Sequence, residues 1–155
     1  ISMPIVSITE LKANLKPSQC LLGIDLGSTT IGMAVSDTSL TIASPLDTLK
    51  RGKFKDDSVK LFALIKERYV GGIVLGLPIN MNGREGPRCQ ATRQFAKNLL
   101  AVIELPIAFW DERLSTAAVE RVLINEADMS RKRRSEVIDK IAAAYILQGA
   151  LDTSS

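Results

Sequence analysis

The run Leu21-Leu22-Gly23-Ile24-Asp25-Leu26-Gly27 reads as a fully buried strand with one acidic interruption, and that interruption restricts the fold more than any other feature of the chain. An ionised carboxylate withdrawn from water is costly unless a cation or a set of hydrogen-bond donors compensates it. The strand must therefore deliver Asp25 to a place where compensation is at hand. The Gly27-Ser28-Thr29-Thr30 segment suits a tight turn into a second strand, which would hold Asp25 at the rim of a sheet. A competing reading makes Asp25 a turn aspartate satisfied by the hydroxyls of Ser28, Thr29 and Thr30.

Around this strand the pattern resolves into an α/β order. Cys20 to Leu26, Ile31 to Ser36 and Ile42 to Leu49 read as three strands joined by short turns, hence an antiparallel meander. Asp56 or Asp57 is placed to cap a helix with Val59, Phe62, Ala63, Ile65 and Tyr69 at three- and four-residue spacing, ended by Gly71-Gly72. A short apolar strand follows, Ile73 to Leu75, and then a Gly, Pro and Asn-rich loop from Gly76 to Gly86. The pattern predicts a helix from Pro87 with Ala91, Phe95 and Leu99 inward, and a fifth strand over Ile107 to Trp110. Ser115 or Thr116 would cap a helix to about Asn125, and a charged connection, Glu126 to Arg134, would lead to a last helix over about Ser135 to Leu151. Strands alternating with helices after a meander imply a mixed five-stranded sheet covered by helices.

The chain has 155 residues, enough for one domain with its own core. It contains no histidine, which excludes a Ser-His-Asp triad, a Cys-His pair and an imidazole zinc site. Cys20 and Cys89 are too few for a disulfide framework and are expected as reduced, packed thiols. No apolar run approaches the roughly 20 residues of a spanning helix, and the first residues lack the apolar core of a signal peptide. The expectation is a cytoplasmic protein with no membrane partner.

Chemistry must then fall to carboxylates, hydroxyls, lysines or an oxygen-held metal. Besides Asp25, two acidic places stand out. The pair Asp111-Glu112 directly follows the fifth strand, where acidic residues also favour the positive end of a following helix. Asp139 shares a helix face with Ala142, Ala143 and Ile146, a poor site for a charge unless small residues bring the helix close to the sheet rim. Three carboxylates converging from these places would select a hard cation, Mg2+ or Mn2+. Such ions activate water and stabilise the leaving oxygen of a phosphodiester.

The segments Gly23-Ile24-Asp25-Leu26-Gly27, Ile73-Val74-Leu75-Gly76-Leu77-Pro78 with its Asn82-Gly83 turn, Trp110-Asp111-Glu112-Arg113-Leu114-Ser115-Thr116 and Asp139-Lys140-Ile141-Ala142-Ala143-Ala144 together resemble the motifs of the YqgF (RuvX) family. That family is described as Holliday junction resolvases and as nucleases that process the small-subunit ribosomal RNA precursor. The resemblance implies an RNase H-like fold over residues 20–151, preceded by an extension, 1–19, and followed by a tail, 152–155, with strand order 3-2-1-4-5. It implies Asp25, Glu112 and Asp139 as catalytic metal ligands, with Asp111 as the alternative to Glu112. Related resolvases carry a further carboxylate at the end of the fourth strand, where this chain has Gly76-Leu77-Pro78. Two other readings compete: a non-catalytic nucleic-acid-binding or ribosome-assembly factor, and an actin- or Hsp70-like phosphate-binding domain suggested by Asp25-Leu26-Gly27-Ser28-Thr29-Thr30.

The basic residues point to a nucleic-acid partner, structured RNA or branched DNA, with ribosomal particles as a further partner and either a monomer or a homodimer allowed. Arg131-Lys132-Arg133-Arg134 gives four consecutive cations on the predicted connection, Arg84 lies in the glycine loop, and Arg113 follows the acidic pair. Lys50, Arg51, Lys53 and Lys55 form another group, and Arg88 and Arg93 extend the one around Arg84. With few aromatics to stack on bases, backbone contacts should outweigh base reading.

Overall fold

The computed structural model describes residues 5–114 and 131–153, with the backbone course alone over 131–136. All seven residues of β1 (Cys20–Leu26) are buried. A strand covered on both faces has no reason to alternate polar and apolar residues, which is why its sequence reads as a continuous apolar run. It pairs antiparallel with β2 (Thr30–Ser36), which pairs antiparallel with β3 (Ala43–Lys50). On its other side β1 runs parallel to β4 (Val70–Leu77), and β4 runs parallel to β5 (Ile107–Asp111). The order β3-β2-β1-β4-β5 puts β1 at the centre, as the family resemblance implies.

Each face of the sheet has its own core. Leu22, Ile24, Met33, Ile73 and Leu75 meet α2 (Phe54–Arg68) and α3 (Pro87–Val102) through Leu61, Ile65, Phe95 and Leu99. Leu21, Ala34, Val74 and Ala108 on the opposite face meet the last helix, α4 (Arg131–Asp152), through Ala142, Ala143, Ile146, Leu147 and Ala150.

Three helix details differ from the sequence pattern. The α2 sequence carries two overlapping apolar stripes, and the one that packs is Leu61 and Ile65, while Val59, Phe62 and Tyr69 face solvent. The helix starts at Phe54, so Asp57 lies within its first turn, buried, and accepts the Gly52 N–H at 3.1 Å. It ends at Arg68, with Tyr69 turning the chain at φ 55°, and Gly71-Gly72 belong to β4, against Leu11 and Leu15. On α3, Phe95 and Leu99 point inward as expected, but Ala91 is exposed and Cys89, Thr92 and Ala96 complete the buried face. The tract Arg131 to Arg134 is not on a connection: its backbone already belongs to α4. The predicted helix from Ser115 or Thr116 to about Asn125, and the connection as far as Ser130, lie outside the described residues.

The segment before β1 is built into the body. Ser7 caps α1 (Ile8–Ala13) by accepting the Glu10 N–H, and Leu11 on that helix is fully buried. Val6 donates to the Ile107 carbonyl at 2.9 Å, extending the β5 side of the sheet. The Lys12 ammonium donates to the carbonyls of Ala150, Leu151 and Thr153 at 3.2, 3.2 and 2.7 Å, so a residue near the start of the chain satisfies the open C-terminal end of α4. Among the described residues no helix is long and apolar enough to cross a membrane.

Candidate active site

Asp25 occupies the penultimate position of β1 and is 3% exposed. Its cross-strand partner on β2 is Gly32, and residues opposite one another in an antiparallel pair share a face of the sheet. On β4, Gly76 lies one step beyond Leu75, the partner of Ile24. Asp25 is thus flanked on both sides by glycines, and each glycine has a carboxylate residue above it.

Over Gly32 lies Asp139 of α4. A Cβ built on Gly32 would fall 2.1 Å from the Asp139 carbonyl oxygen and 2.9 Å from its Cβ, so the helix backbone rests directly on the strand. Beside Gly76 lies Glu112, whose Oε2 is 3.2 Å from where a Cβ on Gly76 would sit. Glu112 is 6% exposed and opens the short 3-10 turn Glu112–Leu114 after β5. The Thr30 hydroxyl, at the start of β2, donates to Asp139 Oδ2 and ties the helix carboxylate to the strand.

Asp111 serves a different partner. It accepts the Arg113 backbone N–H at 2.9 Å and chelates the Arg113 guanidinium, with the closest contact at 2.7 Å. That guanidinium holds the Asp111 carboxyl below the usual carboxylate range, opposed by partial desolvation. Arg113 is therefore already neutralised, and it also borders the Gly83 turn. In the Pro78 to Gly86 loop, Gly83 adopts φ 85° and donates to the Asn80 carbonyl, and Asn82 Oδ1 accepts the Arg84 N–H, leaving the Arg84 side chain in solvent.

A cleft of about 720 Å³ opens above this rim. Asp25 and Asp139 line it, together with the Gly27-Ser28-Thr29-Thr30 turn, Arg51 just after β3, and Pro87, Arg88, Ala91 and Thr92 from the first turns of α3. The sequence offered Thr30 as a partner for Asp25, whereas its hydroxyl meets Asp139, and it placed Arg51 and Arg88 only in broader basic groups, of which these two line the cleft. The signal for the packing was present, since the alternation Gly32-Met33-Ala34 in β2 offers a small-residue face to an alanine-rich helix. Cys20 and Cys89 stay outside the site as buried thiols, and burial raises the pKa of both.

The donor set at the rim is all oxygen, two buried carboxylates and the hydroxyl-held Asp139, which suits a hard divalent cation and no soft one. As the side chains stand, no three histidine, cysteine or acidic groups among the described residues are close enough together to hold a metal ion. An ion would have to draw the three carboxylates in over the two glycines, and no side chain on either glycine stands in the way.

Residues 19–153 match the sequence model of a family described as "RuvX: Holliday junction resolvase". The chain belongs to the RuvX family. Relatives named "Putative pre-16S rRNA nuclease" include one from Paramagnetospirillum magneticum, 60% identical over 99% of this chain and 98% of its own length. Another, from Rhodospirillum rubrum, is 60% identical over 97% of this chain and 93% of its own. Among solved structures, Thermus thermophilus RuvC in complex with Holliday junction substrate superposes with a TM-score of 0.52 at 12% identity, covering 86% of this chain and 93% of that one. The yeast mitochondrial Holliday junction resolvase gives 0.50 at 12% identity, covering 93% and 82%. At such identities the likeness is one of fold, and it places this RuvX-family chain in the RNase H-like class.

Proposed function

We propose that this RuvX-family protein is a metal-dependent endonuclease that hydrolyses phosphodiester bonds, with the 5′ end of pre-16S ribosomal RNA as its substrate and the Holliday junction as the alternative. The observation that carries the reading is the placing of Asp25, buried on the central strand between Gly32 and Gly76, with Asp139 over one glycine and Glu112 beside the other. The names of relatives 60% identical over nearly the whole chain support the RNA substrate.

In this reading Asp25, Glu112 and Asp139 hold Mg2+ or Mn2+, and Asp111 does not, because its carboxylate is engaged by Arg113. A divalent ion held there would supply Lewis-acid polarisation of the phosphodiester and a more acidic water. Thr30 orients the Asp139 carboxylate, and the buried setting of Asp25 keeps that carboxylate out of bulk solvent. A side chain at Gly76 would have to displace the Ile146 Cδ1 methyl and would crowd the Glu112 carboxylate.

The test is to incubate purified protein with Mn2+ and, side by side, a precursor 16S fragment and a four-way DNA junction. Site-specific cutting of the RNA, lost in Asp25→Asn and Asp139→Asn, is expected. Tight binding of either substrate with no cutting under any divalent ion would replace this reading with that of a ribosome-assembly or nucleic-acid-binding factor.

A further inference from the structure

The arginines around the cleft divide into two kinds. Arg93 is bound to Glu85 at 2.6 Å and stacks on Phe109, and Arg113 is bound to Asp111. Arg51 and Arg88, which line the cleft itself, have no carboxylate partner among the described residues. The Arg51 guanidinium instead donates to the Gly27 carbonyl at 2.7 Å, and its backbone N–H donates to Thr29 at 2.8 Å, which fixes it over the turn that follows Asp25. Arg88 approaches from the β4 side of the rim, on α3, and its side chain is exposed.

We propose that Arg51 and Arg88 form a two-point clamp for backbone phosphates of one nucleic-acid strand laid across the cleft, with the strand's intervening phosphate over Asp25 and Asp139. The inference rests on reading the cleft as the nuclease site. Two cations without a carboxylate partner among the described residues, at the mouth of a hollow floored by buried Asp25 and half-buried Asp139, would offset the repulsion between that floor and a polyanion. Arg51 has one donor tied to Gly27 and others remaining, so it presents an oriented fork, whereas Arg88 offers a freer second contact. Ser28 and Thr29, exposed between them, add hydroxyl donors to the same wall.

The test measures binding of a fluorescein-labelled single-stranded RNA, and of the DNA of the same sequence, in EDTA so that no cleavage intrudes. Arg88→Gln and Arg51→Gln should each weaken binding to both strands and flatten the plot of log affinity against log salt by about 0.7 per residue. Arg51→Lys, which keeps the cation, should retain most of the slope and guards against a merely unfolded Arg51→Gln. Lys60→Gln, an equal loss of charge on the exposed face of α2, should leave the slope unchanged. A slope unmoved in both glutamine variants would overturn the clamp while leaving the nuclease reading intact. Parent protein that binds with the expected slopes yet cuts nothing with Mn2+ would overturn the nuclease reading and leave the clamp standing.

Discussion

Asp111 and Glu112 are adjacent in sequence and face different partners, which gives the metal-site proposal its sharpest test. Glu112→Gln should abolish most of the thermal stabilisation conferred by Mn2+, whereas Asp111→Asn should keep it, as read from melting curves with and without the ion. Asp111→Asn should carry a different signature. Because Arg113 lowers the folded-state pKa of Asp111, the ion pair contributes stability above the unfolded carboxylate pKa, about 3.9, and loses it as pH falls through the lowered folded value. The variant should therefore be less stable than the parent at neutral pH and converge with it in acid, a difference measurable by urea denaturation across pH 2–7. For Asp25→Asn the expected result is a metal-free melting temperature at or above that of the parent, loss of the Mn2+-induced shift and loss of cleavage, since clustered carboxylates repel until an ion is bound. A melting temperature that falls while the Mn2+ shift persists would make Asp25 a turn residue instead. Sequence reading could name these carboxylates because a charge in an apolar run is conspicuous. It could not choose between Asp111 and Glu112, because that choice depends on which way the chain turns after β5. It also gave Thr30 to Asp25 and left Arg51 in an undivided basic group, because their actual partners, Asp139 and the Gly27 carbonyl, are remote in sequence.

At the scale of elements, strands were legible and helix faces less so. A continuous apolar run marks all of β1 but only the middle of β4, whose flanking glycines read as a helix end and a loop; α2 carries two candidate stripes, and only the sheet decides that Leu61 and Ile65 are the buried ones. The contact between α4 and the sheet is the element pairing on which the site depends. Gly32→Ala should cost about 1–3 kcal/mol or more, because the added Cβ meets helix backbone that cannot swing away. Gly52→Ala, whose Cβ would meet nothing closer than 3.8 Å, serves as the control expected to stay near the parent in chemical denaturation. Arg131 to Arg134 are four consecutive basic residues whose backbone belongs to about one turn of α4 rather than to a loop. Replacing all four by Gln should weaken binding to all sequences alike and flatten its salt dependence, with stability unchanged or slightly raised as like charges are removed.

Across the whole molecule, the two ends of the chain and the site share one helix. Lys12 fastens the C-terminal end of α4, whose middle carries Asp139. Lys12→Met should lower stability by about 1.5–3 kcal/mol, the range for hydrogen bonds to a charged group, measurable as a shift in the urea midpoint. It should also loosen α4 against the rim. The glycines beneath that helix have a consequence of another kind. Gly32 and Gly76 act by being vacant, Gly32 leaving room for the backbone of Asp139 and Gly76 for Ile146 beside the Glu112 carboxylate. In an exhaustive substitution screen scored by cutting, these two positions should tolerate as few replacements as Asp25 itself, although neither touches water, ion or nucleic acid. Such a screen would therefore outline the mould of the site as well as its reagents, and activity alone would not tell the two apart.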